Sequence, residues 1–132
     1  MARSFVKAAY GDSSFYDIET CAELGEKLIE SPDSAILVNE AASAMIGVCA
    51  VNLWFNKNLK VAQELFWWAD KGAKSAFDLV NAAEDWARQI GVSGLYMSSL
   101  HGLRHRALGR VFESRGYKLR ERAYFLEFDG WQ

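Results

Sequence analysis

The feature that most constrains the fold is a change of hydrophobic period near residue 75. Before it, Val61 to Trp68 has the apolar and aromatic composition of a strand. After it, from Ser75 to Ile90, apolar residues recur at the three-to-four spacing of an amphipathic helix, and Gly91 follows as a helix C-cap. Gly94 to Ser98 then has the pattern of a short strand. A strand, a helix and a second strand in this order predict a parallel crossover in an α/β protein.

Further helices and strands are predicted on both sides of this unit. Before it, we expect a strand at Ser4 to Ala9, a helix at Ile18 to Glu30 stopped by Pro32, a hairpin of Ala35 to Asn39 with Ala44 to Trp54, and a turn at Asn56 to Asn58. After it, we expect a helix at Leu103 to Arg115 and one or two closing strands at Tyr117 to Phe128. The buried side of that last helix should comprise Leu103, Ala107, Leu108, Val111 and Phe112.

The composition is that of an ordinary globular chain. Hydrophobic residues make up 51% and charged residues 24% of the 132 positions, which argues against a disordered protein. One proline and the absence of a Gly/Ser linker predict a single domain over residues 1–132. No apolar run approaches a membrane span or a signal peptide. Cys21 and Cys49 lack metal-ligand spacing and are expected to be reduced thiols in a cytoplasmic protein.

The charge is distributed unevenly along the chain. The net charge is -2, but residues 1–70 carry an excess of acids and residues 71–132 an excess of bases. The bases are concentrated between Arg104 and Arg122, a patch that suits a phosphate-bearing ligand or nucleic acid. The alternative is a solvated helix face and strand edge. Overall acidity argues against nucleic acid.

The order of elements and three local motifs resemble the GNAT superfamily of acyl-CoA-dependent N-acyltransferases. The motifs are Ala35-Ile-Leu-Val-Asn-Glu with Ile46-Gly-Val-Cys-Ala, then Gln63-Glu-Leu-Phe-Trp-Trp68 with the break and helix that follow, and Val111-Phe-Glu-Ser-Arg-Gly-Tyr117. The last is similar to the LYEKLGF ending of the final GNAT helix. The amino-acid sequence of the second motif is similar to that of GNAT-like proteins from bacteriophage genomes. The resemblance implies a central mixed sheet, splayed at a cofactor cleft, with helices on both faces, acetyl-CoA as co-substrate and no metal.

The resemblance also implies a set of cofactor-binding residues. The strand end would pair with pantetheine, the loop and the helix N-terminus would bind pyrophosphate, and an arginine of the last helix would face the adenosine phosphates. The residues at these positions are Phe66, Trp67, Trp68, Ala69, Lys71, Gly72, Ala73, Lys74, Ser75, Ala76, Arg110 and Phe112. Lys74 stands where the family has its first loop glycine. Strand alternation predicts that Trp67 and Trp68 lie on opposite faces, either as walls of the cleft or as ordinary core residues.

Glu64 is the candidate general base. The resemblance places it where several GNAT enzymes keep a glutamate, and its apolar neighbours should raise its pKa. The alternative is an edge carboxylate that reaches solvent or Lys60. Phe112 stands where the family often has a tyrosine that acts as the general acid. Phenylalanine cannot donate a proton, so the leaving thiolate would take its proton from water or from another group. The candidates for that group are Tyr96, Tyr117, Tyr124 and His105.

Two functions follow from these observations. The first is a small cytoplasmic N-acyltransferase that moves an acetyl group from acetyl-CoA to a primary amine of a protein lysine, an N-terminus or a small molecule. The alternative is a catalytically inactive GNAT-like binding module, for example a phage protein in the host cytoplasm that binds a host or virion protein. Aromatic residues near the termini could form its interface, namely Phe5, Tyr10, Phe15, Tyr16 and Trp131.

Overall fold

The described part of the chain folds as four helices and one mixed sheet. The computed structural model describes residues 1–11, 16–73, 76–100 and 104–128. In chain order the elements are α1 (Ala2–Tyr10), α2 (Ile18–Glu30), β1 (Ser34–Val38), β2 (Ala44–Leu53), β3 (Asn56–Ala69), α3 (Asp78–Ile90), β4 (Leu95–Tyr96) and α4 (His105–Ser114). The sheet order is β1-β2-β3-β4. The first three strands pair antiparallel, and β4 is parallel to β3.

The sheet separates two layers of helices, as the sequence predicted. On one face, Ile46 and Val48 of β2 are fully buried in a core cluster with Leu79 and Ala83 of α3. The opposite face carries Ile36, Met45 and Phe66, which line a cavity with residues of α1 and α2. Alternation of side chains along each strand supplies both apolar faces. The mixed α/β fold class is therefore confirmed.

The predicted helix ends are mostly observed. Asp17 caps α2 by accepting hydrogen bonds from the Thr20 hydroxyl and from the Thr20 amide, the latter at 2.9 Å, and these bonds lower the pKa of the Asp17 carboxyl. Ser31, directly before the proline, is the C-cap of α2. α3 ends at Gly91, whose φ of 78° is the left-handed conformation that glycine adopts most easily.

Two predictions about the first half of the chain are wrong. Ser4 to Ala9, predicted as a strand, lies within α1, where Phe5 packs edge-on against Trp68 at a ring distance of 6.2 Å. A short segment with mixed spacing fits either period, and this tertiary contact favours the helix. Asn56 to Asn58, predicted as a turn, begins β3, and the hairpin turns at Trp54 instead. Cys21 and Cys49 are free and half-buried.

Two predictions about the second half are also wrong. Tyr117 to Phe128 forms no strand in the described structure, and it is exposed from Lys118 onward. Ala107, predicted to be buried, is exposed, whereas Phe112 is buried and Leu108 is half-buried. Ala107 lies five residues from Phe112, about 140° around the helix from the side that packs. Leu103 lies outside the described residues.

The end of α4 is bound to α3 by polar contacts. Glu84 of α3 accepts hydrogen bonds from Arg115 Nη2 at 3.0 Å and from the Tyr117 hydroxyl at 2.9 Å. Arg115 also donates to the side-chain oxygen of Asn81. Burial and the bond to Glu84 raise the pKa of the Tyr117 hydroxyl well above its usual value. This cluster fixes the point at which the C-terminal segment leaves the body of the protein. In the described part of the chain, no helix is long and apolar enough to cross a membrane.

Candidate cofactor cleft and active site

The sheet opens between β3 and β4. These parallel strands pair at only two positions, Ala62 with Leu95 and Gln63 with Tyr96. β3 continues to Ala69, whereas β4 ends at Tyr96. Along Glu64 to Ala69, no strand among the described residues pairs with the β4-facing edge of β3. The two strands therefore form a fork, with one row of backbone amides and carbonyls that no described strand pairs.

A β-bulge lies next to the point where the fork opens. Gly47 pairs with Phe66 and its neighbour Val48 pairs with Glu64, which leaves Leu65 as an extra residue in β3. A bulge bends its strand and increases the local twist. Because pairing with β4 stops at Gln63, the bend begins where the two strands part.

Glu64 lies at the closed end of the fork. Its Oε2 accepts a hydrogen bond from the Ser98 backbone N–H at 3.1 Å, so the side chain reaches from β3 to the segment after β4. The side chain is half-buried, and desolvation raises the pKa of its carboxyl to about 7, although the Ser98 bonds oppose the shift. The predicted direction of the pKa shift is confirmed. The alternative partner, Lys60, lies 3.4 Å from Asp33 Oδ1 instead.

Trp67 and Trp68 lie on opposite faces of β3, as alternation predicted. Trp67 packs on the α3 side, with ring centroids 5.5 Å from Phe77 and 6.1 Å from Phe112. Its indole N–H is buried and has no hydrogen-bond partner among the described residues. Trp68 faces α1, and its indole N–H donates to Asp70 Oδ1 at 2.9 Å. Thus the Trp68 indole N–H has an acceptor within the chain, whereas the Trp67 indole N–H, beside the cleft, has none among the described residues.

The loop after β3 begins with a tight turn. The Ala73 N–H donates to the Asp70 carbonyl at 3.0 Å, and Gly72 takes a φ of +85° at the third position of this turn. That position in a type II turn requires a positive φ, which favours glycine. Lys71 and Gly72 are exposed, and Ala73 and Ala76 are half-buried. Lys74 and Ser75 lie outside the described residues.

Sequence reasoning missed two acids beside this loop. α3 begins at Asp78 rather than Ser75, and Asp78 is the first acid of its first turn. Asp70 opens the turn and is held there by Trp68 and by its own N–H, which donates to the Ser43 carbonyl at 2.7 Å. Both carboxylates oppose anion binding at the helix N-terminus, whereas Lys71 favours it. In the sequence, only their positions close to the break between the strand and the helix could have indicated that these acids lie beside the loop.

The residues of α4 contribute an apolar wall. Phe112 is buried between Trp67 and Tyr117, whose ring lies 5.3 Å away. Among the candidates for the general acid, the Tyr117 hydroxyl already donates to Glu84, and Tyr124 is exposed outside the cleft. Arg110 is exposed on α4. In the described residues, no three His, Cys, Asp or Glu side chains form a group that could hold a metal ion.

A second cavity, of about 490 Å³, lies between the loop after β1 and the first turn of α3. Its polar lining includes Asn39, Glu40 and Asp78. Asn39 holds the β1–β2 turn by accepting hydrogen bonds from the amides of Ser43 and Ala44, at 2.8 and 2.9 Å. This acidic cavity was not predicted, because it depends on how a loop and a helix end approach each other.

Comparisons with known proteins identify the fold. Neither a protein-family model nor a curated protein matches the sequence. Several solved structures are similar over nearly the whole chain, and three of them represent the range. The aminoglycoside N-acetyltransferase AAC(6')-Iy in complex with CoA has a TM-score of 0.67 at 14% identity, covering 97% of this chain and 86% of its own. AAC(6')-IG from Acinetobacter haemolyticus, an aminoglycoside 6'-N-acetyltransferase, has a TM-score of 0.64 at 13% identity, with coverage of 97% and 92%. A transcriptional regulator from Bacillus halodurans has a TM-score of 0.71 at 16% identity, with coverage of 96% and 92%.

The chain therefore has the fold of the GNAT acetyltransferases, as the sequence predicted. One fold carries several functions, so the residues of the cleft decide the activity. Two contacts mark the cleft: Glu64 reaches Ser98, and the Trp67 ring packs against Phe112. Phe66 lies on the other face of β3, where its ring covers Gly47.

Proposed function

We propose that this protein is an N-acetyltransferase that transfers an acetyl group from acetyl-CoA to a primary amine. The observation that carries the proposal is Glu64, a half-buried carboxyl with a pKa raised to about 7 at the closed end of an open strand fork. A general base works best when its pKa lies near the operating pH. The same position lies beside an exposed strand edge that can bind an amide-bearing arm.

The pantetheine arm of acetyl-CoA would lie along β3. The arm contains two amide groups, and the unpaired edge from Leu65 to Ala69 offers backbone donors and acceptors to them. Trp67 adds a buried indole N–H that has no partner within the described chain. A carbonyl oxygen of the arm or of the thioester is the kind of acceptor that would satisfy it. The rings of Phe77 and Phe112 beside Trp67 would exclude water from this part of the cleft.

The phosphates would lie at the loop that follows. The Val80 amide already donates to the Phe77 carbonyl at 3.1 Å, but the Asp78 and Leu79 amides have no acceptor within the helix and favour an anion at its N-terminus. Gly72 allows close approach of the backbone, and Lys71 adds a positive charge. Lys74 and Ser75 belong to this proposed site on sequence alone. Arg110 of α4 is the candidate for the adenosine phosphates.

Glu64 would act as the general base of the transfer. The carboxylate removes a proton from the incoming ammonium, and the free amine nitrogen attacks the thioester carbonyl carbon. The tetrahedral intermediate collapses as the C–S bond breaks, and the amine nitrogen loses its second proton to water. Phe112 cannot protonate the departing CoA thiolate, and the Tyr117 hydroxyl is bound to Glu84, which leaves water, Tyr96 at the end of β4 or His105 of α4 to supply that proton.

Polycationic amines are the acceptors to test first. Two of the similar structures are aminoglycoside acetyltransferases, and aminoglycosides carry several ammonium groups. Residues 1–70 of this chain carry an excess of acids, which would attract such a substrate. Glu40 and Asp78 add two carboxylates to the cavity beside α3.

The direct test is binding of acetyl-CoA, followed by release of the free CoA thiol in the presence of an amine panel. We expect a dissociation constant in the micromolar range, about -8 kcal/mol, and amine-dependent thiol release. CoA binding without release to any amine would favour the alternative of an inactive binding module, which Phe112 and the acids beside the loop support. Absence of binding at millimolar acetyl-CoA would contradict the proposal.

Adding a negative charge at the loop should weaken CoA binding, and removing one should strengthen it. Lys71→Glu should weaken CoA binding by about tenfold, roughly 1.4 kcal/mol, because it places a negative charge against the pyrophosphate. Asp70→Asn should tighten binding by about twofold to fivefold, since it removes a negative charge of surface-pair strength and keeps the acceptor for Trp68. Calorimetric titration measures both. Equal affinities in the two variants would place the phosphates elsewhere.

Arg110 should distinguish CoA from its dephosphorylated form. If the guanidinium binds the 3′-phosphate, Arg110→Ala should weaken CoA by about tenfold, roughly 1.4 kcal/mol, and leave dephospho-CoA nearly unchanged. A charge-assisted bond to that phosphate exists only in CoA. Arg106→Ala, an equally exposed change on the same helix, is the matched control. Equal small losses for both ligands would assign Arg110 to the solvated face.

A further inference from the structure

The indole N–H of Trp67 is a buried donor for which no described residue supplies an acceptor. A buried donor without a partner is costly, so native proteins rarely keep one without a reason. The neighbouring Trp68 shows the ordinary arrangement, because its indole N–H donates to Asp70 Oδ1 at 2.9 Å. The Trp67 donor therefore indicates a ligand that brings an acceptor oxygen to this position.

The bulge at Leu65 places this donor on the same face of β3 as Glu64. Glu64 pairs with Val48 and Trp67 pairs with Ile46, and residues that pair directly in an antiparallel ladder share a face. Val48 and Ile46 both belong to the core cluster on the α3 side of the sheet. Residues three apart in a regular strand would lie on opposite faces. The extra residue is thus what brings the proposed base and the indole donor to one side of the fork.

The spacing of the two residues suits a reacting acyl group between them. Their partners on β2 are two residues apart, which corresponds to about 7 Å along the strand. A base, an amine nitrogen, a carbonyl carbon, its oxygen and a hydrogen-bond donor form a path of about 10 Å from atom to atom. That path bends at each atom, so its ends lie at a separation of the same order as the two strand positions.

The surroundings of the donor favour a neutral carbonyl oxygen. The rings of Phe77 and Phe112 lie 5.5 and 6.1 Å from the Trp67 ring, and neither offers an acceptor. A phosphate oxygen would lose its hydration among these rings, whereas a carbonyl oxygen loses far less. Phe112 is buried, but Phe77 is 43% exposed at the N-cap of α3, so it is the ring that can move to admit an acyl group.

We propose that Trp67 is a catalytic residue whose indole N–H donates to the thioester carbonyl oxygen of acetyl-CoA. When the amine nitrogen attacks the carbonyl carbon, the π electron pair of the C=O bond moves onto the oxygen, and the indole N–H stabilises the developing negative charge. The pair re-forms the carbonyl as the C–S bond breaks and the CoA thiolate leaves. This inference rests on the proposed acetyl transfer, and it assigns the oxygen to one side-chain atom of this chain.

Binding to the wild-type protein tests the contact without turnover. The chain has five tryptophans, and the Trp67 indole resonance can be assigned by its contacts with the Phe77 and Phe112 rings. In the absence of amine, acetyl-CoA should move the Trp67 indole proton downfield. S-ethyl-CoA, in which a methylene replaces the thioester carbonyl, should bind and leave that proton nearly unchanged. Equal shifts with both ligands, or none with either while both bind, would overturn the proposal.

Kinetics of Trp67→Phe test the catalytic role. The substitution keeps an aromatic ring and removes the N–H, so kcat should fall by about 10²-fold. The affinity for free CoA, which has no thioester oxygen, should be nearly unchanged, and the rise of the rate with pH should persist because Glu64 is intact. Trp86→Phe makes the same change in another half-buried tryptophan, packed against the core cluster, and is the matched control.

The outcomes separate this inference from the proposed function. A wild-type rate in folded Trp67→Phe would overturn the inference, leave acetyl transfer in place and assign the oxygen to the backbone edge of β3. An equal loss of rate in Trp86→Phe would overturn it as well, because the loss would then reflect packing. If the wild type binds acetyl-CoA and transfers to no amine, the proposed function fails by itself. The indole resonance then still decides whether Trp67 contacts the thioester oxygen.

Discussion

Replacing Glu64 with glutamine should reduce turnover by about 10²-fold or more, the usual contribution of a general base. Glutamine keeps the shape and can still accept the Ser98 N–H, so the fork should remain intact. The wild-type rate should rise with pH through an apparent pKa near 7, because the deprotonated carboxylate is the active form. In the variant this rise should disappear. Glu113→Gln, an exposed change on α4, is the control and should leave the rate unchanged.

Stability should change in the opposite direction to activity. The pKa of Glu64 is raised from 4.5 to about 7 in the folded state, so the folded protein binds more protons than the unfolded chain between these values. The wild type should therefore lose stability as pH rises through that window. Glu64→Gln should remove this loss and unfold at higher denaturant concentration at pH 8. Full activity at pH 6–9 in the variant would eliminate Glu64 as the base.

Substituting Gly47 should be among the most destabilising single changes outside the cleft. A Cβ atom there would lie 2.4 Å from the Phe66 ring, which covers the glycine across the β2–β3 pair. The ring can yield only by moving off the glycine into the cavity that it lines with residues of α1 and α2. We expect Gly47→Ala to cost on the order of 3 kcal/mol of unfolding free energy, the upper range for overpacking. Urea denaturation followed by circular dichroism measures it.

A double-mutant cycle isolates the cause. Phe66→Ala alone should destabilise by loss of ring burial, but Gly47→Ala added to it should then cost much less than in the wild type. Gly109→Ala in α4 is the matched control. No atom lies within 4 Å of its Cβ position, and alanine should stabilise the helix by about 0.5–1 kcal/mol. Additive costs for Gly47 and Phe66 would show that the ring is not what the glycine accommodates.

The central part of the fold could be predicted because its local patterns and its tertiary contacts agree. The period change near residue 75 marks the crossover between β3 and β4, and Gly91 ends α3 where expected. The raised pKa of Glu64 followed from its apolar neighbours. These features depend on residues close together in the chain.

The errors involve features that depend on distant residues or on other molecules. α1 was predicted as a strand because its helical conformation is supported by Phe5 packing on Trp68, far away in sequence. Tyr117 to Phe128 has a strand pattern, but a strand exists only with a partner, and no described strand of the sheet pairs with this segment. The sequence shows that Asp70 lies in the loop, but its hydrogen bond from the Trp68 indole N–H could be known only from the structure. Arg110 and the loop lysines remain predictions.

The bend of β3 at the fork depends on one extra residue, Leu65, which forms the bulge. Deleting Leu65 would restore a regular antiparallel ladder with β2, because Gly47 would still face Phe66 and Val48 would still face Glu64. β3 would lose its bend, and its free edge would continue straight alongside the segment after Tyr96. In evolutionary terms, one inserted codon supplies this bend, with all flanking side chains kept on their original faces. Descendant sequences could then vary the loops around the opening without rebuilding it.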